Sequence, residues 1–254
     1  MRFGSVEYEV SGRIAVLTLD EPDRLNALSS AMRAGIVECL KKVDADDEIR
    51  VAVITGRGEK AFCAGADIAG FDFEPLKVQS FMTEVMDTLA APERCRKPVI
   101  AAVNGLAFGG GFELAIASDF IIASDRAKFG IPEIKLGLLP LLATVRLPGL
   151  VGRAKAKELT IVGDPISAEE AMRLGLVLRV VAKDRVLAEA MEFAARIASR
   201  PQLAVRLTKS LYNRGIGGDE MRHAVDGVPY LFMHEDAREG ITAFREKREP
   251  KFKL

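Results

Sequence analysis

Pro98-Val-Ile-Ala-Ala-Val-Asn-Gly-Leu-Ala-Phe-Gly-Gly-Gly-Phe-Glu-Leu-Ala-Ile-Ala117 is the stretch on which the reading of this chain turns. Residues 99–103 are an unbroken apolar run of strand length, which suits a buried strand. The run breaks at Asn104-Gly105. Gly109, Gly110 and Gly111 follow, and residues 112–117 read as a buried helix. Glycines ahead of a helix let another molecule approach the backbone closely. The first amides of such a helix have no partner inside it and face whatever sits at the turn. Glu113 falls three residues after Gly110, on the same helical face near the open end, within reach of a ligand held by those amides. A glycine-rich turn alone is most often only a tight connection. Two nucleotide-binding patterns are excluded outright: no Gly-Lys-Ser/Thr follows the glycines, and their spacing is not G-x-G-x-x-G.

Working outward, residues 5–10 and 13–20 read as two strands joined by a Ser11-Gly12 turn. Ser29 or Ser30 caps a helix running to about residue 44, with Met32, Ile36, Leu40 and Val43 on its apolar face. Residues 50–55 form a β-branched strand, residues 60–68 a loop, and residues 76–91 a helix with Phe81, Val85 and Leu89 on one face. Past the glycines come a strand at 119–123, an extended piece at 128–133 and a helix at 153–162. The capping box Ser167-Ala-Glu-Glu170 starts a short helix that Gly175 stops. A last strand spans 177–181. Helices are expected over 185–199, 203–214, 219–234 and 236–248. The alternation of strands and helices predicts an α/β fold. The helical tail has too few apolar residues for a free-standing bundle, so it is expected to pack on the core or on another subunit.

The bulk composition narrows the function. Lysine plus arginine and aspartate plus glutamate number 36 each, so no overall field steers nucleic acid or an acidic membrane towards the chain. No apolar run approaches a membrane span, and the N-terminus carries no basic-then-apolar leader pattern. Three scattered cysteines (Cys39, Cys63, Cys95) make no C-x-x-C pair and suggest free thiols in a reducing, cytoplasmic setting. Cys63 reads as a small loop residue, because no partner base is visible. No zinc motif or G-x-S-x-G elbow is present, and both histidines, His223 and His234, fall in the helical tail.

Three loops carry the chemistry: Ala64-Gly-Ala-Asp67, Gly109-Gly-Gly111 and Gly130-Ile-Pro-Glu133. Backbone amides aimed at one oxygen form an oxyanion hole, which stabilises the charge that develops as a carbonyl becomes an enolate. A pair of glutamates can then move protons at neighbouring carbons.

With these residues the chain resembles the crotonase, or enoyl-CoA hydratase/isomerase, superfamily. The resemblance rests on Arg24-Leu-Asn-Ala-Leu28, Ala61-Phe-Cys-Ala-Gly-Ala-Asp-Ile68, residues 98–113, residues 129–137, residues 168–177 and residues 239–248. It implies an α/β spiral of ββα units over residues 1–195, holding an acyl-CoA site. Residues 196–254 would be a helical oligomerisation segment that builds a homotrimer or a dimer of trimers. It implies the backbone N–H groups of Ala66 and Gly110 as the oxyanion hole, with Glu113 activating water and Glu133 delivering the α-carbon proton. Ala64, Asp67 and Ile68 would line the adenine and pantetheine path. Lys247 would either meet the CoA phosphate or adenine, or stand as a solvated helix lysine. The substrate brings its own CoA, so no further cofactor and no metal is expected. The implied activity is hydration of a 2-enoyl-CoA, a reaction of fatty acid metabolism as in β-oxidation.

One departure stands out. The run Leu136-Gly-Leu-Leu-Pro-Leu-Leu-Ala-Thr144 has Leu141, Leu142 and Ala143 where such families carry glycines, and is one residue shorter. Leu141 either narrows the acyl pocket or excludes water from it. Enoyl-CoA isomerisation, or hydration of an unusual or cyclic enoyl-CoA, is therefore the runner-up. A weakly catalytic CoA-binding or RNA-binding homologue comes third, since the balanced charge and the lack of a basic patch weigh against nucleic acid.

Overall fold

A computed structural model describes residues 1–67 and 75–213 (75–80 by backbone) together with Glu235, Glu239, Ala243, Glu246, Arg248 and Lys251. The chain opens with β1 (Arg2–Phe3), β2 (Val6–Ser11) and β3 (Ile14–Leu19), then α1 (Ser30–Ala45). It next repeats one pattern three times: a long buried strand, a turn, and a three-residue strand. The pairs are β4 (Val51–Gly56) with β5 (Ala61–Cys63), β6 (Val99–Val103) with β7 (Leu106–Phe108), and β8 (Phe120–Ser124) with β9 (Lys128–Gly130). The long strands lie in a seven-stranded sheet and the short ones in a second sheet of four. Helices close the repeats: α2 (Pro75–Leu89) and α3 (Ala91–Arg94) after the first, α4 (Gly110–Ile116) after the second, α5 (Leu141–Val151) and α6 (Arg153–Lys157) after the third. This is the α/β class expected, laid out as ββα units.

The large sheet runs β1-β2-β3-β4-β6-β8-β11, the last strand being Arg179–Val181. Its central strands pair in parallel, and both faces are covered, which is why they read as continuous apolar runs rather than alternating ones. Val99, Ala101 and Val103 join the cluster that includes Ile36, Leu40 and Phe112. Ile100 and Ala102 face the other way, against Val186, Ala190 and Ala194 of α8 (Val186–Ala198). The small sheet runs β10-β9-β7-β5, with β10 at Ile166–Ser167. Asn104, at the break in the opening stretch, binds the two turns together. Its amide donates to Gly56 O and Gly58 O at 2.9 Å each, and its carbonyl accepts the Gly56 N–H.

Ser29 caps α1, its hydroxyl accepting the Met32 N–H at 3.1 Å. Ser167 caps α7 (Ala168–Arg173). Only half of that capping box forms, because the Glu170 carboxylate turns to Lys155. The sequence reading is corrected at four places. Of the second sheet the sequence shows only the extended piece at 128–133, which holds β9; β5, β7 and β10 are too short to complete an alternating pattern. Cys63 lies in β5 rather than in a loop. α4 starts at Gly110, not Phe112. α5 occupies residues assigned no element, because its mixed Leu-Leu-Ala-Thr-Val sequence with an internal Pro148 shows no clean helical stripe. α9 (Gln202–Tyr212) matches the expected second helix of the tail. The helices expected at 219–234 and 236–248 fall almost wholly outside the described residues. Among the described residues no helix is long and apolar enough to cross a membrane.

Candidate active site

The site begins with a loop whose backbone is held in an uncommon conformation. Leu25 and Asn26 both have positive φ, +53° and +55°, a region non-glycine residues rarely occupy. Asn26 is fully buried and holds the loop there: its amide donates to Arg57 O and Ala61 O, and its carbonyl accepts the Glu21 N–H. The loop then runs beside the segment after β5. Ala64 N–H donates to Leu25 O at 3.0 Å and Leu28 N–H to Gly65 O at 2.8 Å, with Leu28 bridged in parallel to Ala66. Gly65 has φ +97°, and a Cβ there would sit 2.7 Å from Phe108 O and 3.1 Å from Gly110 N. Only glycine allows this approach of the 64–67 segment to the start of α4.

Gly109 supplies the turn into α4, with φ +51° and ψ −127°. The first backbone bond of the helix runs from Glu113 N–H to Gly109 O, so the amides of Gly110, Gly111 and Phe112 precede it and point out of the helix end. A Cβ on Gly110 would lie 3.6 Å from Ala66 N and 3.0 Å from Leu28 Cδ1. The Ala66 and Gly110 amides thus stand next to one another, with the Leu28 side chain packed beneath.

Glu113, on α4, is 3 % exposed. Its Oε1 accepts the Ala143 N–H at 2.8 Å, from the first turn of α5. Burial pushes its carboxyl group up to about 7; the Ala143 amide pulls the other way, and the nearby Glu133 charge raises it further. Glu133 follows Pro132 in a short 3-10 turn after β9. Burial raises its carboxyl group too, and its Oε2 is buried without a hydrogen-bond partner among the described residues. The carboxylate rests against Gly109, where a Cβ would meet Oε1 at 2.6 Å. Two carboxyl groups pushed up by burial, one of them unsatisfied, mark a site arranged for proton transfer rather than for stability.

Both carboxyl groups open into one cavity of about 330 Å³. Ala64, Ala66, Gly110 and Leu141 line it as well, and its remaining wall is apolar, with Phe81, Met82 and Val85 of α2 among it. Leu142 and Ala143 are buried in the core, whereas Leu141 is only half-buried and faces the cavity. Asp67 follows the lining residue Ala66 but does not itself line the cavity, and is ion-paired with Arg24. Ile68 and Lys247 lie outside the described residues. A larger groove of about 1020 Å³ borders α5, α8 and α9, but there Glu93 is bound by Arg146 and Asp119 by Lys209, so no pair of carboxyl groups is left to act. Burial drives the Cys63 thiol up to about 12, which makes it inert. Among the described residues no group of three His, Cys, Asp or Glu could hold a metal.

Sequence reasoning places Leu28 and Gly65 in motifs without giving either a role, and it does not find the wall of α2. Phe81 and Val85 were legible only as an apolar helical face, which a core and a cavity share.

The family model for enoyl-CoA hydratase/isomerase matches residues 9–254. The chain is 41% identical to a crotonyl-CoA hydratase of Syntrophomonas wolfei, over 99% of each chain. It is 38% identical to a short-chain-enoyl-CoA hydratase of Clostridium acetobutylicum, over 98% of this chain and 97% of the other. Among solved structures it superposes on an enoyl-CoA hydratase subunit of Geobacillus kaustophilus with a TM-score of 0.92 at 40% identity, covering 100% of this chain and 99% of that one.

Proposed function

The chain belongs to the enoyl-CoA hydratase/isomerase family, and from that premise we propose how it works as an enoyl-CoA hydratase. It adds water across the 2,3 double bond of a 2-enoyl-CoA. The observation that carries this reading is the convergence of two buried carboxyl groups and two adjacent amides on one apolar cavity.

The thioester oxygen accepts from the Ala66 and Gly110 N–H groups, and the positive end of α4 favours the charge that develops on it. The step needs one carboxyl group ionised and the other protonated; burial raises both, and like charges close together in a buried site do not both ionise readily. Glu113, fixed by the Ala143 N–H, takes a proton from water as the hydroxyl adds to the β-carbon. Glu133 in its protonated form gives a proton to the α-carbon as the enolate collapses. The proton has then moved from Glu133 to Glu113, and exchange with solvent resets the pair. The reaction needs no group beyond the CoA that the substrate carries. Ala64, Asp67, Ile68 and Lys247 are assigned to the CoA moiety, and residues 196–254 to assembly as a trimer or dimer of trimers, which light scattering would check.

Mixing purified protein with crotonyl-CoA should abolish the absorbance of the conjugated thioester and yield 3-hydroxybutyryl-CoA. E113Q and E133Q should each lower kcat by about 100-fold or more. Unchanged absorbance with the wild-type protein rules the reading out. Leu141 on the cavity wall favours isomerisation as a second reading, since an apolar wall there disfavours a bound water. Conversion of a 3-enoyl-CoA to its 2-enoyl isomer, faster than crotonyl-CoA is hydrated, would select it.

A further inference from the structure

One charged residue lies on the buried face of α1 and takes no part in the chemistry above. Arg33 is 7 % exposed, among Met32, Ile36 and Leu40. Its Nη1 donates to Leu28 O at 2.9 Å in a buried bond, its Nη2 to Glu84 Oε2 at 3.0 Å. Its guanidinium carbon stands 4.6 Å from the centre of the Phe81 ring. Its Nε is buried with no hydrogen-bond partner among the described residues, and Glu84 is 62 % exposed. Burying a guanidinium against one exposed carboxylate, with a donor left over, is unfavourable for stability beside an apolar side chain of similar size. What Arg33 does do is join two parts of the cavity. Leu28, whose carbonyl it holds, bonds through its N–H to Gly65 and pairs with Ala66, while its side chain packs on Gly110. Phe81 and Glu84 belong to α2, and Phe81 lines the cavity opposite.

We infer that Arg33 is a positioning residue with two separable hands: one fixes the Leu28 carbonyl and so aligns the Ala66 and Gly110 amides, the other holds α2 as the acyl wall. The inference rests on the hydratase reading, in which those amides polarise the thioester. The first hand acts on the transition state and the second on binding, so their losses differ. Arginine suits the task because its planar fork reaches two acceptors at fixed angles while its face stacks on an aromatic ring, which an ammonium group cannot reproduce.

The test uses the full-length protein with E84A, R33K and R33M. Two readouts are taken: steady-state hydration of crotonyl-CoA, and the Raman carbonyl stretch of bound butyryl-CoA, which cannot react. E84A, which removes the acceptor of Nη2, is expected to raise KM about three- to tenfold, with kcat within about twofold and the carbonyl stretch as displaced as in wild type. R33K should behave like E84A, keeping the Leu28 bond but losing the second hand. R33M should lower kcat about 10- to 100-fold and return the carbonyl stretch towards its value in water. R33M with wild-type kcat and carbonyl stretch overturns the inference, as does E84A or R33K with wild-type KM. If R33M does not fold, the KM of E84A and R33K decides alone. A wild-type complex with an undisplaced carbonyl stretch removes the oxyanion hole itself, and with it the premise, which separates that failure from the failure of Arg33.

Discussion

At the scale of single residues, Glu113 sets stability and activity against each other. Its carboxyl group is pushed from an ordinary 4.5 to about 7 by burial. Between these values the folded protein holds a proton that the unfolded chain releases, so this group's contribution to stability falls as pH rises from about 4.5 past 7. At pH 8 the buried charge costs about 3 kcal/mol. E113Q removes that charge while its amide oxygen still accepts the Ala143 N–H. Urea unfolding should show it more stable than wild type at pH 8, with the difference closing towards pH 5. The same group needs its proton off to activate water, so kcat/KM for crotonyl-CoA should decline below about pH 7. Leu141 acts on a different quantity. It lines the cavity from the first position of α5. L141A should raise kcat/KM for ten-carbon over four-carbon enoyl-CoA by about tenfold or more, since even one methylene in an apolar pocket changes discrimination that much. An unchanged ratio would mean the acyl chain does not pass Leu141.

At the scale of elements, the junctions between strands and helices hold the site. β7 ends at Phe108 and α4 begins at Gly110, and the single residue between them makes the turn. A side chain on Gly109 would be strained at φ +51° and would meet the Glu133 carboxylate at 2.6 Å. G109A should therefore lose about 1–3 kcal/mol of stability. Its kcat should drop about 100-fold as Glu133 is displaced, which stopped-flow and thermal melts would measure together. The start of α5 plays the matching part for Glu113. That helix is anchored to α3 by Arg146, whose Nε and Nη2 donate to the two Glu93 oxygens at 2.7 and 2.6 Å. A bidentate pair fixes orientation as well as distance.

At the scale of the molecule, a buried lysine ties the helical tail to the core. Lys209 on α9 is 7 % exposed and donates to Pro92 O, Lys97 O and Asp119 Oδ2. Asp119 in turn accepts the Val99 N–H at the start of β6. Removing one partner of a buried pair leaves the other charge uncompensated. K209M should lose about 3–5 kcal/mol in chemical denaturation, whereas K209M/D119N should recover part of it.

The sequence alone determined the α/β class, the extent of the long strands and of α1, α2, α8 and α9, and the residue types available for acid–base chemistry. Apolar periods, caps and glycines are local signals, and each acts within one turn or one strand. The same local signals made Gly109 to Gly111 a turn that can hold something, without saying what. Tertiary structure decided the pairing of the second sheet, the helix α5 and the meeting of Ala66, Gly110, Glu113, Glu133 and Leu141 at one cavity, with Leu28 packed on Gly110; the family resemblance names these five together, but local patterns do not bring them together. That meeting depends on parallel strand register between segments tens of residues apart. It also depends on close backbone approaches, at Gly65 to Phe108 O and at Gly109 to the Glu133 carboxylate, and no local pattern encodes either. Arg33 shows the limit most clearly. In sequence it is one more arginine in a helix, and only the packing of α1 against Leu28 and α2 gives its charge a place.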